Sequence, residues 1–178
     1  MRWYEVVLIL LKGVSRMTDK GFSMLEEVFS SDLCYLMAMS HIVLANNQVT
    51  SRFIEKNYDM PVNAWSTLYA VTYFPGILAK DVQILFPRPQ NSISRAIKLL
   101  ENRCLIKREV DNNDTRAKQL FPTTEGVALL SEIKNKVVRR QEEVFGALTD
   151  LERKTFLSLC RKIINSGALN DSSALEVF

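Results

Sequence analysis

The stretch from Pro87 to Gly126, PRPQNSISRAIKLLENRCLIKREVDNNDTRAKQLFPTTEG, decides how the rest of the chain reads. In its first half Ile93, Ile97 and Leu100 recur at helical spacing, with Ala96 and Leu99 beside them, so one face of a helix is apolar. The opposite face carries Gln90, Asn91, Ser92, Ser94, Arg95 and Lys98, whose donors and acceptors suit base edges and phosphates. A β-type run follows from Leu105 to Val110, then the Asn/Asp-rich turn from Asp111 to Asp114, then a second run from Ala117 to Phe121. Two such runs around such a turn predict a hairpin, and Arg116 and Lys118 flank its tip with positive charge. A polar-faced helix feeding a basic-tipped hairpin predicts a winged helix-turn-helix.

Charge placement points the same way. From Gly76 to Phe121 there are nine Lys/Arg and five Asp/Glu, a surplus of four in a chain whose formal net charge is +3. All the net basicity therefore falls in this segment, as nucleic-acid binding requires. An apolar fraction of 47% is enough for a core. The three cysteines, Cys34, Cys104 and Cys160, carry no paired or metal-type spacing, so neither a disulfide framework nor a metal site is expected. One histidine, His41, is too little for a Ser-His-Asp set, and no Gly-rich phosphate loop is present. An enzyme is not expected, nor is any cofactor. The opening MRWYEVVLILLK is interrupted by Glu5 and lacks a cleavage site, and no stretch approaches twenty apolar residues. A cytoplasmic protein without a membrane partner is the expectation.

Along the chain, residues 1–30 form an extension of uncertain structure, with one helix possible around Trp3 to Leu10 and another around Phe22, Leu25 and Val28. Residues 31–60 read as a long helix capped by Ser31 or Asp32, with Leu33, Leu36, Met37, Val43 and Leu44 as its buried stripe. Residues 61–122 hold the winged helix: a helix through Trp65, Leu68, Tyr69 and Thr72, a short one near Lys80 to Phe86, the turn Pro87-Arg88-Pro89, the polar-faced helix and the hairpin. Residues 123–178 start at a Thr123 cap and run to about Leu148, with Leu130, Ile133, Val137, Val144 and Leu148 as a seam. Thr149-Asp150-Leu151-Glu152 is a capping box for a last helix that buries Phe156, Leu157, Cys160 and Ile164. The fold class is mainly α, with long N- and C-terminal dimerisation helices around a winged helix that has a small β-hairpin wing.

On these residues the chain resembles the MarR family of bacterial transcriptional regulators. Ser94, Arg95, Ile97, Leu100, Glu101, Arg103, Leu105, Ile106 and Arg108, then Asp114 and Arg116, then Thr123, Glu125 and Gly126 match that family's motif over about forty residues. Two departures stand out. Cys104 replaces the glycine after the recognition helix, where a left-handed residue costs a non-glycine about 1 kcal/mol, so this helix end is expected to be built differently. Pro87 and Pro89 replace a Gly and an Asp in the preceding turn.

The resemblance implies a homodimeric repressor that binds a pseudo-palindromic operator in double-stranded DNA. Its expected DNA contacts are Gln90, Asn91, Ser92, Ser94, Arg95, Lys98, Arg116 and Lys118, with Arg116 in the minor groove and Asp114 orienting it. It also implies a small aromatic ligand in a crevice bordered by His41, Trp65 and Tyr69. One alternative is peroxide sensing, since DLCYLMAMS around Cys34 resembles the sensing branch of the family. That branch also supplies two tyrosines to its cysteine, and here Gln48 and Val62 stand near those places, with Tyr58 only nearby. Another is a winged helix that binds proteins and not DNA.

Overall fold

The computed structural model describes residues 19–110 and 118–170. The chain divides into two compact units, residues 1–53 and 54–178. In the first, α1 (Asp19–Phe29) is followed by α2 (Cys34–Tyr58), one continuous helix whose last turn belongs to the second unit. The apolar segment around Trp3 to Leu10 lies outside the described residues.

One reading of α2 is corrected. Before it, the Ser31 hydroxyl donates to the Val28 carbonyl at 2.7 Å, at the end of α1. The expected buried stripe is exposed, Leu36 at 55% and Leu44 at 68%, and within α2 Ile54 is the buried residue. Periodicity marks a face that wants cover; no described residue of this chain buries it.

The second unit is built around α3 (Val62–Tyr73), a helix without a single charged residue. A helix apolar on most sides settles in the middle of a fold, and α3 packs against α4 (Ala79–Leu85), α5 (Gln90–Asn102), β2 (Lys118–Pro122) and α6 (Thr124–Phe145). Ala64, Leu68, Ala70 and Val71 are buried, and so are Ser66 and Thr67, whose hydroxyls donate back to the Asn63 carbonyl. Around them close Ile54, Met60, Val82, Ile93, Ile97, Leu100, Leu105, Ile106, Leu120, Leu130 and Ile133. Each large apolar side chain in this set contributes about 1.5–3 kcal/mol by leaving water.

Strand β1 (Ile106–Val110) pairs with β2 antiparallel, Ile106 opposite Pro122 and Val110 opposite Lys118. A further bridge joins Ile77 to Leu120, with Gly76 N–H donating to the Leu120 carbonyl at 2.8 Å. Gly76 accepts this place at φ +89. The segment 111–117, with Asp114 and Arg116, lies outside the described residues.

The end of α5 overturns an expectation. Cys104 takes the left-handed conformation at φ +55, as a glycine would. Its N–H donates to the Glu101 carbonyl, the Leu105 N–H donates to the Leu100 carbonyl, both at 2.9 Å, and Leu100 and Leu105 are buried together. This is a complete Schellman ending, built with a residue that strains in it. Cys104→Gly should therefore raise stability by up to about 1 kcal/mol in a denaturant titration. A loss of stability would show that the thiol makes a contact outweighing the backbone strain.

Thr123 caps α6 as expected, its hydroxyl accepting from Gly126 N–H at 3.0 Å. Phe145 ends α6, three residues short of the expected Leu148. A capping box starts α7 (Asp150–Asn165): Glu152 accepts from the Thr149 backbone N–H at 2.7 Å, which holds its carboxyl below the usual carboxylate range. Arg153 Nε donates to the Phe145 and Leu148 carbonyls and closes the turn between the two helices. The expected burial of Phe156, Leu157, Cys160 and Ile164 is corrected: α7 has no buried residue, and Ile164 is 62% exposed. A short 3-10 turn (Ala168–Asn170) follows.

Candidate nucleic-acid interface

Helix α5 is set by its neighbours in sequence and space. Pro87 and Pro89 stiffen the link from α4, and Pro89 (φ −55, ψ 138) is the N-cap. No side chain caps the helix; Ser92 and Ile93 N–H donate instead to the Pro89 carbonyl. The positive end of the helix dipole is thus left toward solvent, where it favours an anion. Ile93, Ala96, Ile97 and Leu100 are buried, which turns the other side of α5 outward.

That side presents Gln90, Asn91, Ser94, Arg95 and Lys98, all exposed. Ser94 and Lys98 line a groove shared with Glu101, Asn102 and the strand residues Arg108, Glu109, Val110 and Lys118. Arg95 lies toward the other rim, its Nε donating to the Asn91 carbonyl at 3.3 Å. Ser92 is half-buried and, with Arg95, lines a second groove beside Pro61, Asn63 and Ala64 at the start of α3.

Charge pairing sorts the cations. Arg108 binds Glu101 at 2.7 Å, tying the first strand of the hairpin to α5, and Lys107 binds Glu109 at 2.6 Å. Arg95, Lys98 and Lys118 form no ion pair with another described residue. Three cations without an ion pair among the described residues, set around a polar helix face, are the means to hold a polyanion and read its edges. The Arg108–Glu101 tie escaped the sequence reading, although both residues were in the motif. Their spacing of seven gives no cue that a helix end and a strand will meet.

A cluster of aromatic rings lies elsewhere on the second unit. Trp65 and Tyr69 have ring centroids 5.9 Å apart, Tyr69 stacks on Tyr73 at 4.4 Å, and Phe86 meets Tyr69 edge-on. Lys134 donates to the Tyr73 hydroxyl at 2.6 Å, which lowers the Tyr73 pKa and raises that of Lys134. Burial, with Tyr73 beside it, raises Tyr69. The Trp65 indole N–H is buried with no hydrogen-bond partner among the described residues. His41, grouped with Trp65 and Tyr69 on sequence, is exposed on α2 in the first unit. Cys34 is half-buried at the start of α2, and Cys104 is exposed. Among the described residues no His, Cys, Asp and Glu group is placed to hold a metal, and no helix is long and apolar enough to cross a membrane.

A three-helix reading head, an antiparallel hairpin and an outward polar helix define a winged helix-turn-helix protein. The comparisons make this specific. The chain has the fold of MarR-family regulators and resembles them in its motif. A MarR-type regulator of Listeria monocytogenes, solved with a 26mer DNA, superposes with a TM-score of 0.70 at 21% identity, covering 76% of this chain and 89% of that one. In sequence the chain is 26% identical over 112 residues to a protein assigned as transcriptional regulator of the hcr operon in Thauera aromatica, covering 63% of this chain and 68% of that protein. It is likewise 26% identical over 119 residues to the Escherichia coli transcriptional regulator HosA, covering 67% of this chain and 88% of HosA. These relatives are transcriptional regulators and not enzymes. No protein-family model matches the chain.

Proposed function

We propose that this chain is a DNA-binding transcriptional regulator that works in the cytoplasm as a homodimer, a repressor of its operator released by a small aromatic ligand. The observation that carries the DNA reading is the exposed face Gln90, Asn91, Ser94, Arg95 and Lys98, set beside a hairpin whose Lys118 has no ion-pair partner among the described residues. In this reading Asn91 and Gln90 take adenine edges, Arg95 and Lys98 take guanine or phosphate, and Arg116 enters the minor groove from the hairpin tip. Ser92 and Lys118 hold the backbone. Two copies related by a two-fold axis place their recognition helices about 34 Å apart, one helical turn of DNA. Trp65 and Tyr69 border the ligand site. The Trp65 indole N–H, without a hydrogen-bond partner among the described residues, is a ready donor to a ligand carboxylate.

Duplex binding measured against salt concentration tests this. Wild-type affinity should fall steeply as salt rises. Arg95→Ala, Lys98→Ala and Arg116→Ala should each weaken binding by about 1–3 kcal/mol, and a residue held on phosphate should also lower the salt slope by about one. Salt-independent or absent binding by a folded dimer would leave the winged helix as a protein-interaction module.

A further inference from the structure

The far end of the recognition helix is tied to more than its own hairpin. Arg103, the residue that closes α5, donates from Nη1 to the Tyr58 and Asp59 carbonyls, both at 3.0 Å. These lie at the end of α2, where helix carbonyls have no helical N–H to accept from. Asp59 leaves the helix at φ +48. A guanidinium there also meets the negative end of the α2 dipole. The Tyr58 hydroxyl donates in turn to Glu132 on α6 at 3.0 Å. The two residues after Arg103 reach α6 themselves: the Cys104 carbonyl accepts from Thr123 Oγ1 at 2.7 Å, and the Leu105 carbonyl accepts from Thr123 N–H at 3.1 Å. Residues 103–105 thus join the recognition helix to the last turn of α2 and the first turn of α6.

We propose that Arg103 is a positioning residue for DNA reading, holding the pitch of α5 against the last turn of α2 without touching DNA itself. This rests on the regulator reading above. The geometry is that of a lever. Gln90, Asn91, Ser94 and Arg95 occupy the first half of α5 and Arg103 closes the other end. A helix of this length spans about 20 Å, so a tilt of about 5° at its C-terminal end moves the first turn by about 1.7 Å, enough to break hydrogen bonds to base edges. Arg103 is exposed, so its contacts add little to global stability. What they set is direction.

The test compares full-length wild type, Arg103→Ala, Arg103→Lys and Lys98→Ala. Each is titrated against two probes, a duplex selected from a random-sequence pool by the wild-type protein and an unselected duplex of equal length. Arg103→Ala should lose about tenfold on the selected duplex, with affinity for the unselected one within about twofold of wild type and an unchanged salt slope. Arg103→Lys, whose ammonium can still reach a carbonyl, should recover part of the loss. Lys98→Ala should weaken both probes and lower the slope by about one. If circular dichroism finds Arg103→Ala unfolded, the same pattern at smaller size in Arg103→Lys carries the test. An unchanged ratio between the two probes overturns the inference and leaves the regulator reading standing. So does a lowered slope on both, which would make Arg103 a phosphate contact. A wild type that selects no duplex overturns the regulator reading, and the inference with it.

Discussion

Gly126→Ala is expected to cost about 3 kcal/mol or more, or to leave the chain unfolded, against the ordinary rule for a helix. Gly126 lies in the first turn of α6, where alanine is normally favoured over glycine by about 0.5–1 kcal/mol. Here an added Cβ would stand 2.0 Å from the Leu105 carbonyl oxygen, 3.0 Å from its carbonyl carbon and 3.3 Å from Leu68 Cδ1. The obstacle is backbone, and that backbone is not free to move. The Leu105 carbonyl accepts from Thr123 N–H, and Leu105 N–H completes the ending of α5. Relief of the clash must shift α6 away from the recognition helix or break its cap. Urea or thermal unfolding measures the loss directly. A neutral or stabilised variant would mean that the start of α6 does not lie against residue 105.

The second large effect concerns assembly. The protein should sediment as a dimer at micromolar concentration and moderate salt, and Leu157→Glu combined with Ile164→Glu should convert it to a monomer. These positions are seven apart on α7, one face of the helix, and both are exposed within one chain. Phe156, Leu159 and Ile163 are exposed on the same helix, and Leu33, Leu36, Val43 and Leu44 at the start and along the length of α2. So much exposed apolar surface on each of the two helices is foreign to a soluble monomer. Each covered side chain is worth about 1.5–3 kcal/mol, and two-fold symmetry counts each substitution twice. The monomer should also bind a two-half-site duplex at least about a hundredfold more weakly, because the second head no longer acts at high effective concentration. Light scattering together with a shift assay reads both. A monomeric wild type, or a doubly substituted dimer, would sink the prediction.

The order of helices and hairpin, and the residues that start them, were legible because their signals act within a few residues. Thr149 and Glu152 form their capping box at a spacing of three, Thr123 caps α6 through Gly126, and Ile93, Ala96, Ile97 and Leu100 share a face because a helix turns every 3.6 residues. The polar set from Gln90 to Lys98 followed from the same periodicity; Ser92 and Arg95 line the groove near Asn63, and Ser92 is the half-buried member of the set.

Tertiary structure decided what periodicity leaves open. The stripes of α2 and α7 are apolar at helical spacing as that of α5 is, yet of the three only the α5 stripe is buried by described residues. A pattern states that a face needs cover and not which chain supplies it. Cys104 was expected to avoid the left-handed site, and it occupies that site because the Leu100 and Leu105 side chains enter the core only if the backbone turns there. Gly126 was legible as a motif residue, but its reason is the carbonyl of residue 105 pressed against it. Arg103 meets Tyr58 and Asp59 across 45 and 44 positions of sequence. No local propensity encodes so distant a contact; it exists only once burial of α3 has brought the end of α2 and the end of α5 to the same place.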